Sequence, residues 1–468
     1  MTRSVQAYAY RRASAMRRGG PGGAELGLET SGGLTPAGAE AHPRFFTGFL
    51  AEPQAAAQAL LSVADVAATR YHRPRPDHGA LDPVVTAGGD RLRFESFSGC
   101  CGVHARLDVL PAGLDGADVA HGTTNVDINN PLREALSRLG AGEPLHLRVG
   151  PEELTVTALD GPLVEKKVPL PDRWLRGFAE TQVIASGFDL RAELTAGEAV
   201  RFLRSLPRGG TGRSGGGVRW VLPAPHGSGL RPAGRPAPGA VCLPGPARLA
   251  ALHRVLRHAT GLRIYGPPVS AAAPASASAW ELALPGMRLT LTLSPDPARG
   301  FSGEGAVLEH LAGEESAADA ELLGVLLAWE PCIDPAELAA RSGLSRERVR
   351  AALTRLGTAG RVGYDTAEAA YYHRELPYDA GRAEKHNPRL VGARELVAAG
   401  AVTFLGDGLA AVRSGELVYQ VRTTAAGAMT CTCPWWAEYR GGRGPCRHAL
   451  AARMAGRTAP AGTAAPAP

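Results

Sequence analysis

Cysteine is scarce in this chain, seven in 468 residues, yet three of the seven lie in CTCPWWAEYRGGRGPCRH, the stretch from Cys431 to His448. Cys431 and Cys433 are spaced CxC, Cys446 and His448 are spaced CxH, and twelve residues separate the pairs. Thiolate and imidazole are the preferred zinc donors, and four of them close a tetrahedral site. Metal also supplies what a short segment lacks. A unit of about 50 residues rarely draws more than about 3–5 kcal/mol from its own core, whereas structural zinc contributes about 10–16 kcal/mol of apparent binding energy. The spacing therefore predicts one Zn2+ ion held by Cys431, Cys433, Cys446 and His448. All four positions are filled by protein, so the ion is expected to be structural and not catalytic. CxxC, not CxC, is the usual redox spacing.

The flanks suit such a site. VYQVRTTAAGAMTCTC reads as a hairpin turning at Ala426–Gly427, whose second strand delivers the CxC pair. Pro445–Cys446 opens a short helix, CRHALAARM, with Cys446 and His448 on its first turn. This pattern, with the aromatic pair Trp435–Trp436 behind the second cysteine, is similar to the SWIM zinc finger over roughly residues 400–455. The resemblance implies a nucleic-acid or protein interaction role.

Charge is concentrated in the same place. From Lys385 to Arg457 ten Lys/Arg face four acids, a balance of +6 that equals the formal net charge of the whole chain. Arg440, Arg443 and Arg447 lie on or beside the expected zinc loop, with Trp435, Trp436 and Tyr439 between them. Arginine interleaved with aromatics suits phosphate contact and base stacking. A solvated loop with its aromatics packed on the zinc knuckle fits the same residues. Arginine supplies nearly all positive charge chain-wide, alongside abundant Ala, Gly and Pro, and this weakens it as a marker of nucleic-acid binding.

A second pattern precedes the finger. ADAELLGVLLAWE (318–330), DPAELAARSG (334–343) and LSRERVRAALTRLGTAGRV (344–362) read as three helices, with Asp334 and Ser345 as caps and Gly343 as a stop. GRVGYDTAEAAYYH follows as a two-stranded hairpin. The order resembles a winged helix-turn-helix domain, with Ala339, Gly343, Ser345, Val349 and Leu353 at its small, turn, cap and core positions. In that family the third helix often enters the major groove. With Val349, Leu353 and Leu356 inward, Glu347, Ala351 and Thr354 are expected to point out, flanked by Arg350 on one side and Arg348 and Arg355 on the other. Those three arginines are the candidate phosphate contacts. An acid at the apex suits groove reading poorly, and seven arginines against nine acids over 318–375 suit a protein partner as well.

The remaining expectations complete an α+β multidomain reading. Residues 1–39 are taken as a flexible N-terminal segment, 40–207 as a mixed α/β domain and 208–240 as a Gly/Pro-rich linker. Residues 241–316 form a small α/β region, 317–377 the winged helix-like domain, 378–457 a ββα SWIM finger domain and 458–468 a disordered tail. Thr195 with Glu198 signs a capped helix over 195–207. ARLAALHRVLRHATG (247–261) has helical spacing, and WELALPGMRLTLTLSP (280–295) alternates like paired strands. No run of about 18 apolar residues is present, the start lacks a secretory h-region, and cysteine usage suits a reducing cytoplasm.

No catalytic constellation emerges, and an enzyme is not expected. Adjacent Cys100 and Cys101 are expected to face opposite ways on a strand. Cys242 and Cys332 stand alone, and His72, His78, His104 and His121 have no spacing that defines a site. GGTGRSGG lacks the phosphate-loop ending, and GLSRERV is no nucleophile elbow. PRFFTGFL, RFESFSGCCGVHARLDVL and HGTTNVDINNPLREAL resemble the long N-terminal region of bacterial SWIM zinc finger family proteins. That resemblance implies an alternative role as an adaptor for a MoxR-type ATPase and von Willebrand factor A system. Nucleic acid and protein are thus both candidate partners, with neither a membrane nor a small-molecule substrate expected.

Overall fold

The computed structural model describes residues 7–458 apart from 11–12, 21–22, 72–81, 141, 151–165, 170–171, 208–217, 225–228, 297, 299, 302–314, 328, 377–387, 425–427 and 442–443. The chain divides into two compact units, 1–301 with 327–334 and 360–378, and 302–326 with 335–359 and 379–468. It is a mixed α/β protein with several sheets. Among the described residues no helix is long and apolar enough to cross a membrane.

The first unit is built on a ten-stranded antiparallel sheet. At its centre Leu92–Phe97 pairs with Val103–Val109, which pairs with Met287–Leu293, which pairs with Ser278–Leu284. VHARLDV and MRLTLTL alternate, so register puts Leu107 beside Leu289 on one face and Arg106 beside Thr290 on the other. The apolar face packs under the helix Pro53–Ala68, whose alanines are good helix formers and small enough for close approach. The polar face would ordinarily meet water. Here both faces are buried.

Ion pairs make that burial tolerable. Arg93, Arg106 and Arg288 point from three adjacent strands toward Asp108 and toward Asp365, which the hairpin Val362–Asp365/Ala370–His373 contributes. Asp365 accepts from Arg288 Nη2 at 2.8 Å and Arg106 Nη2 at 3.1 Å, with Arg93 Nη2 at 3.5 Å. Beside it Arg374 Nη1 donates to Glu95 Oε2 at 2.7 Å. Burial by itself would raise the Asp365 carboxyl, but Arg106, Arg288, Arg93 and Arg91 reverse this and hold it well below the usual carboxylate range. The hairpin also depends on Gly363: a Cβ there would stand 2.2 Å from the Tyr372 ring across the strand pair.

Several boundaries differ from the sequence reading. Within 1–39, expected as a flexible segment, Ala15–Gly20 and Gly23–Leu28 are strands, the latter paired in parallel with Leu145–Val149, and Leu26 and Leu28 are fully buried. Their glycines and arginines look solvated in isolation; pairing with a strand over a hundred residues away is what brings Leu26 and Leu28 into the core. Nor does the 208–240 stretch divide two cores. Val218–Pro223 and Leu230–Ala233 form a small sheet with Val241–Pro244, and strands from 261–293 join the same sheet as 84–125. Pro246–His258 is wound as a 3₁₀ helix, with Leu249, Leu252, Val255 and Leu256 buried as its spacing requires. Cys100 and Cys101 occupy a tight turn, Cys101 at φ 53°, and not a strand. The Thr195–Glu198 capping box forms as expected.

In the second unit Glu315–Leu326, Pro335–Ser342 and Arg346–Thr358 pack on one another as three helices, with the Ser345 hydroxyl accepting from Arg348 N. Val349, Leu353 and Leu356 are buried. Thr354, expected to face out, is buried as well, and its hydroxyl donates to the Arg350 carbonyl at 2.9 Å. The hairpin that follows belongs to the first unit.

Removing one member of a buried ion pair typically costs about 3–5 kcal/mol. Asp365→Ala should therefore destabilise the first unit by about that amount, read as an earlier transition in denaturant followed by tryptophan fluorescence. The sign with pH follows from the lowered carboxyl. Its contribution is present above the unfolded value near pH ~4, and is lost only as pH falls through the lower folded value. Wild-type stability from this group should hold from neutral pH down to about 4.

Candidate metal centre

The C-terminal part of the second unit is a four-stranded antiparallel sheet, Val402–Gly406, Leu409–Ser414, Leu417–Thr423 and Met429–Cys431 in that order. One face carries Ala410, Val412, Val421 and Cys431, all buried beneath the helices Pro388–Ala398 and Arg447–Thr458. Extended backbone places residues two apart on the same side. Cys431 and Cys433 are accordingly both buried, with Thr432 exposed between them.

Chain direction then changes twice, each time at a ligand. Cys433 caps the helix Pro434–Tyr439: its Sγ accepts from Trp436 N at 3.4 Å, and Pro434 occupies the first helical position, where no N–H is needed. Arg440 closes that helix in the left-handed region at φ 45°. Cys446 stands at the head of Arg447–Thr458 and its Sγ accepts from Ala449 N at 3.4 Å. His448 follows in the first turn, its ring stacked on Tyr419 at 4.3 Å between centroids. Two sulfurs thus sit at helix N-termini, where backbone N–H groups favour thiolate.

The four donor atoms lie within 4.8 Å of one another and all four residues are buried. Cys431 Sγ is 3.9 Å from His448 Nδ1. Tetrahedral coordination at about 2.3 Å per Zn–S bond separates donors by about 3.8 Å, so the cluster needs only a small contraction around the ion. The thiols divide the charge unequally. A hydrogen bond from Cys431, with further ones from His448 and Ala449 N, brings the Cys446 thiol down to about 4, while the same bond and burial push Cys431 up. Three sulfurs and an imidazole converging on one buried point fit a structural Zn2+ ion, whose binding displaces the thiol protons.

The other predicted residues are placed as follows. Trp435 lies against Tyr439 at 4.5 Å and under the Arg389 guanidinium at 4.8 Å, so its ring is used within the module. Trp436 is half-buried beside Gly441. Arg440 is exposed. Arg447 is exposed and donates to Ser414 Oγ at 3.0 Å. Arg443, the Ala426–Gly427 turn, residues 208–217 of the expected linker, His72 and His78 lie outside the described residues. Of the helix arginines, Arg348 grips Asp319 through both nitrogens, at 2.7 and 2.9 Å, while Arg350 is exposed and Arg355 half-buried. The sequence reading passed over Tyr419 as the shelf for His448, and over Arg413 and Arg422. The period-two pattern of LAAVRS and LVYQVRT was the available signal for the two arginines.

Residues 426–452 match the SWIM zinc finger family model. No curated protein matches the chain. A solved structure of proliferating cellular nuclear antigen from Entamoeba histolytica is similar over 54% of this chain and 100% of that one, with 10% identity and a TM-score of 0.31. A likeness at that level bears no argument about fold or role.

Zinc and folding are linked here, since the donors converge from a strand end, a helix cap and a helix start. Cys431→Ser should lower bound zinc from one equivalent to none by metal analysis. It should also open residues 388–458 to protease, as a strong chelator should in the wild type. Because thiols must deprotonate to bind, metal should be released as pH falls.

Proposed function

We propose that this is a non-enzymatic, cytoplasmic zinc protein whose SWIM finger binds nucleic acid, with the helices of 315–358, read as the helical part of a winged helix-turn-helix domain, assisting. The observation that carries this reading is charge. The +6 balance over 385–457 matches that of the entire chain, and Arg440 and Arg447 are exposed beside the zinc ligands. A closed Cys3His set orders a loop without offering chemistry, which suits a binding module. Engagement of Trp435 by Arg389 and Tyr439 favours phosphate contact over base stacking in this loop. Arg350 is the exposed arginine of the third helix that could add to it.

One observation favours the other reading, a protein-interaction adaptor of the kind that serves an ATPase complex. Phe404, Leu405, Leu417 and Val418 are each about half exposed in the same module, and exposed apolar surface suits protein contact.

Fluorescence anisotropy of the zinc-loaded chain on DNA and RNA across a salt series tests the choice. Binding should weaken with salt at a log–log slope of about −0.9 per phosphate neutralised on duplex DNA. The triple variant Arg440→Ala, Arg443→Ala, Arg447→Ala should bind more weakly with a flatter slope while keeping its zinc. An absence of binding at the lowest salt would set the nucleic-acid reading aside in favour of a protein partner.

A further inference from the structure

The four-stranded sheet of the finger is covered on one face only. The opposite face bears Thr403, Arg413, Gln420, Arg422, Thr430 and Thr432, all exposed. Register places them together. Arg422 pairs with Leu409 on one side and Thr430 on the other, and Arg413 pairs with Val418. Leu409 and Arg413 are four residues apart on one strand, so the two guanidinium stems start about 14 Å apart, taking about 3.4 Å per residue and one strand spacing. No acid lies on this face among the described residues; Asp407 and Glu416 occupy the turns at its ends. Neither arginine has an ion-pair partner among the described residues, in contrast to Arg348, Arg106 or Arg288. An ordinary solvated sheet face mixes both signs of charge. This one offers two unspent cations, an amide and three hydroxyl groups across four strands, with Val418 exposed opposite Arg413.

We propose that this open face holds the phosphate backbone of a nucleic acid, Arg413 and Arg422 contacting phosphates and the threonines and Gln420 adding hydrogen bonds to phosphate or sugar. The inference rests on the nucleic-acid reading above and names a surface distinct from the zinc loop. The face has no aromatic side chain, so its contribution is to affinity and not to base identity. The zinc ion fixes it indirectly: Cys431 pairs with Val421 and pins the strand that carries Thr430 and Gln420's neighbour Thr432.

The test is a three-way comparison on the full zinc-loaded chain, using fluorescein-labelled single-stranded DNA, duplex DNA and single-stranded RNA of one sequence. The proteins are wild type, Arg413→Gln/Arg422→Gln, and Arg440→Ala/Arg447→Ala. The sheet variant should keep one zinc, bind the form that lies on this face more weakly, and flatten its salt slope by about 1.8 on duplex or about 1.4 on single strands. Arg413→Lys/Arg422→Lys should recover most of the slope, because a phosphate contact needs charge more than fork geometry. Whichever form loses more affinity in the sheet variant, duplex or single strand, identifies the form that lies on this face. A sheet variant that binds with wild-type affinity and slope, while the zinc-loop variant weakens, overturns this surface and leaves the nucleic-acid reading standing. A wild type that binds none of the three at the lowest salt overturns both.

Discussion

A single buried carboxylate organises the first unit. Asp365 enters from a hairpin near residue 365 and meets arginines from strands near 93, 106 and 288. Without it, three buried guanidinium groups would depend on Asp108, with Glu368 beside Arg288 as the other carboxylate in reach. Buried cations that lose a partner are costly, so the ten-stranded sheet can be covered on this side only if the chain returns after residue 359. This explains why a segment so late in the sequence belongs to the N-terminal unit. It also bears on the hairpin's expected role as a wing: its turn carboxylate, the group a free wing would leave in water, is already spent on the sheet.

The C-terminal module solves a similar problem with a metal. Its sheet is short, its outer strand Val402–Gly406 is largely exposed, and its buried apolar set is small. Coordination replaces core. Each sulfur is placed by an ordinary local device: alternation along a strand for Cys431 and Cys433, a helix cap for Cys433 again, and a helix start for Cys446. Tyr419 on the neighbouring strand then fixes the ring of His448. The module's remaining surface is left to loops and to a sheet face with positive charge.

Arginine-rich composition misleads unless each side chain is located. Arg348, Arg106, Arg288, Arg93 and Arg374 look alike in the sequence to Arg413, Arg422 and Arg440. The first group is consumed by Asp319, Asp108, Asp365 and Glu95. The second faces solvent. A carboxylate within about 4 Å decides which arginines remain available to a ligand, and no spacing rule along the chain reports that distance.

The amino-acid sequence by itself determined the zinc ligands, because CxC and CxH pairs twelve residues apart are a local chemical specification that strand and helix geometry merely execute. It also determined the Thr195–Glu198 and Ser345 caps and the alternation of the central strands, each decided by hydrogen bonds or side-chain period within a few residues. Tertiary structure alone decided the rest. That Gly23–Leu28 is a strand depends on Leu145–Val149, and that the polar sheet face is buried depends on Asp365. That Thr354 is buried and Arg348 engaged depends on neighbours outside the helical period. That Arg413 and Arg422 share an open face depends on register between two strands. Local signals act through short-range sterics and hydrogen bonds, which the chain carries wherever it goes. Pairing across one or two hundred residues is chosen by the burial and charge balance of the whole unit, and only the folded chain expresses it.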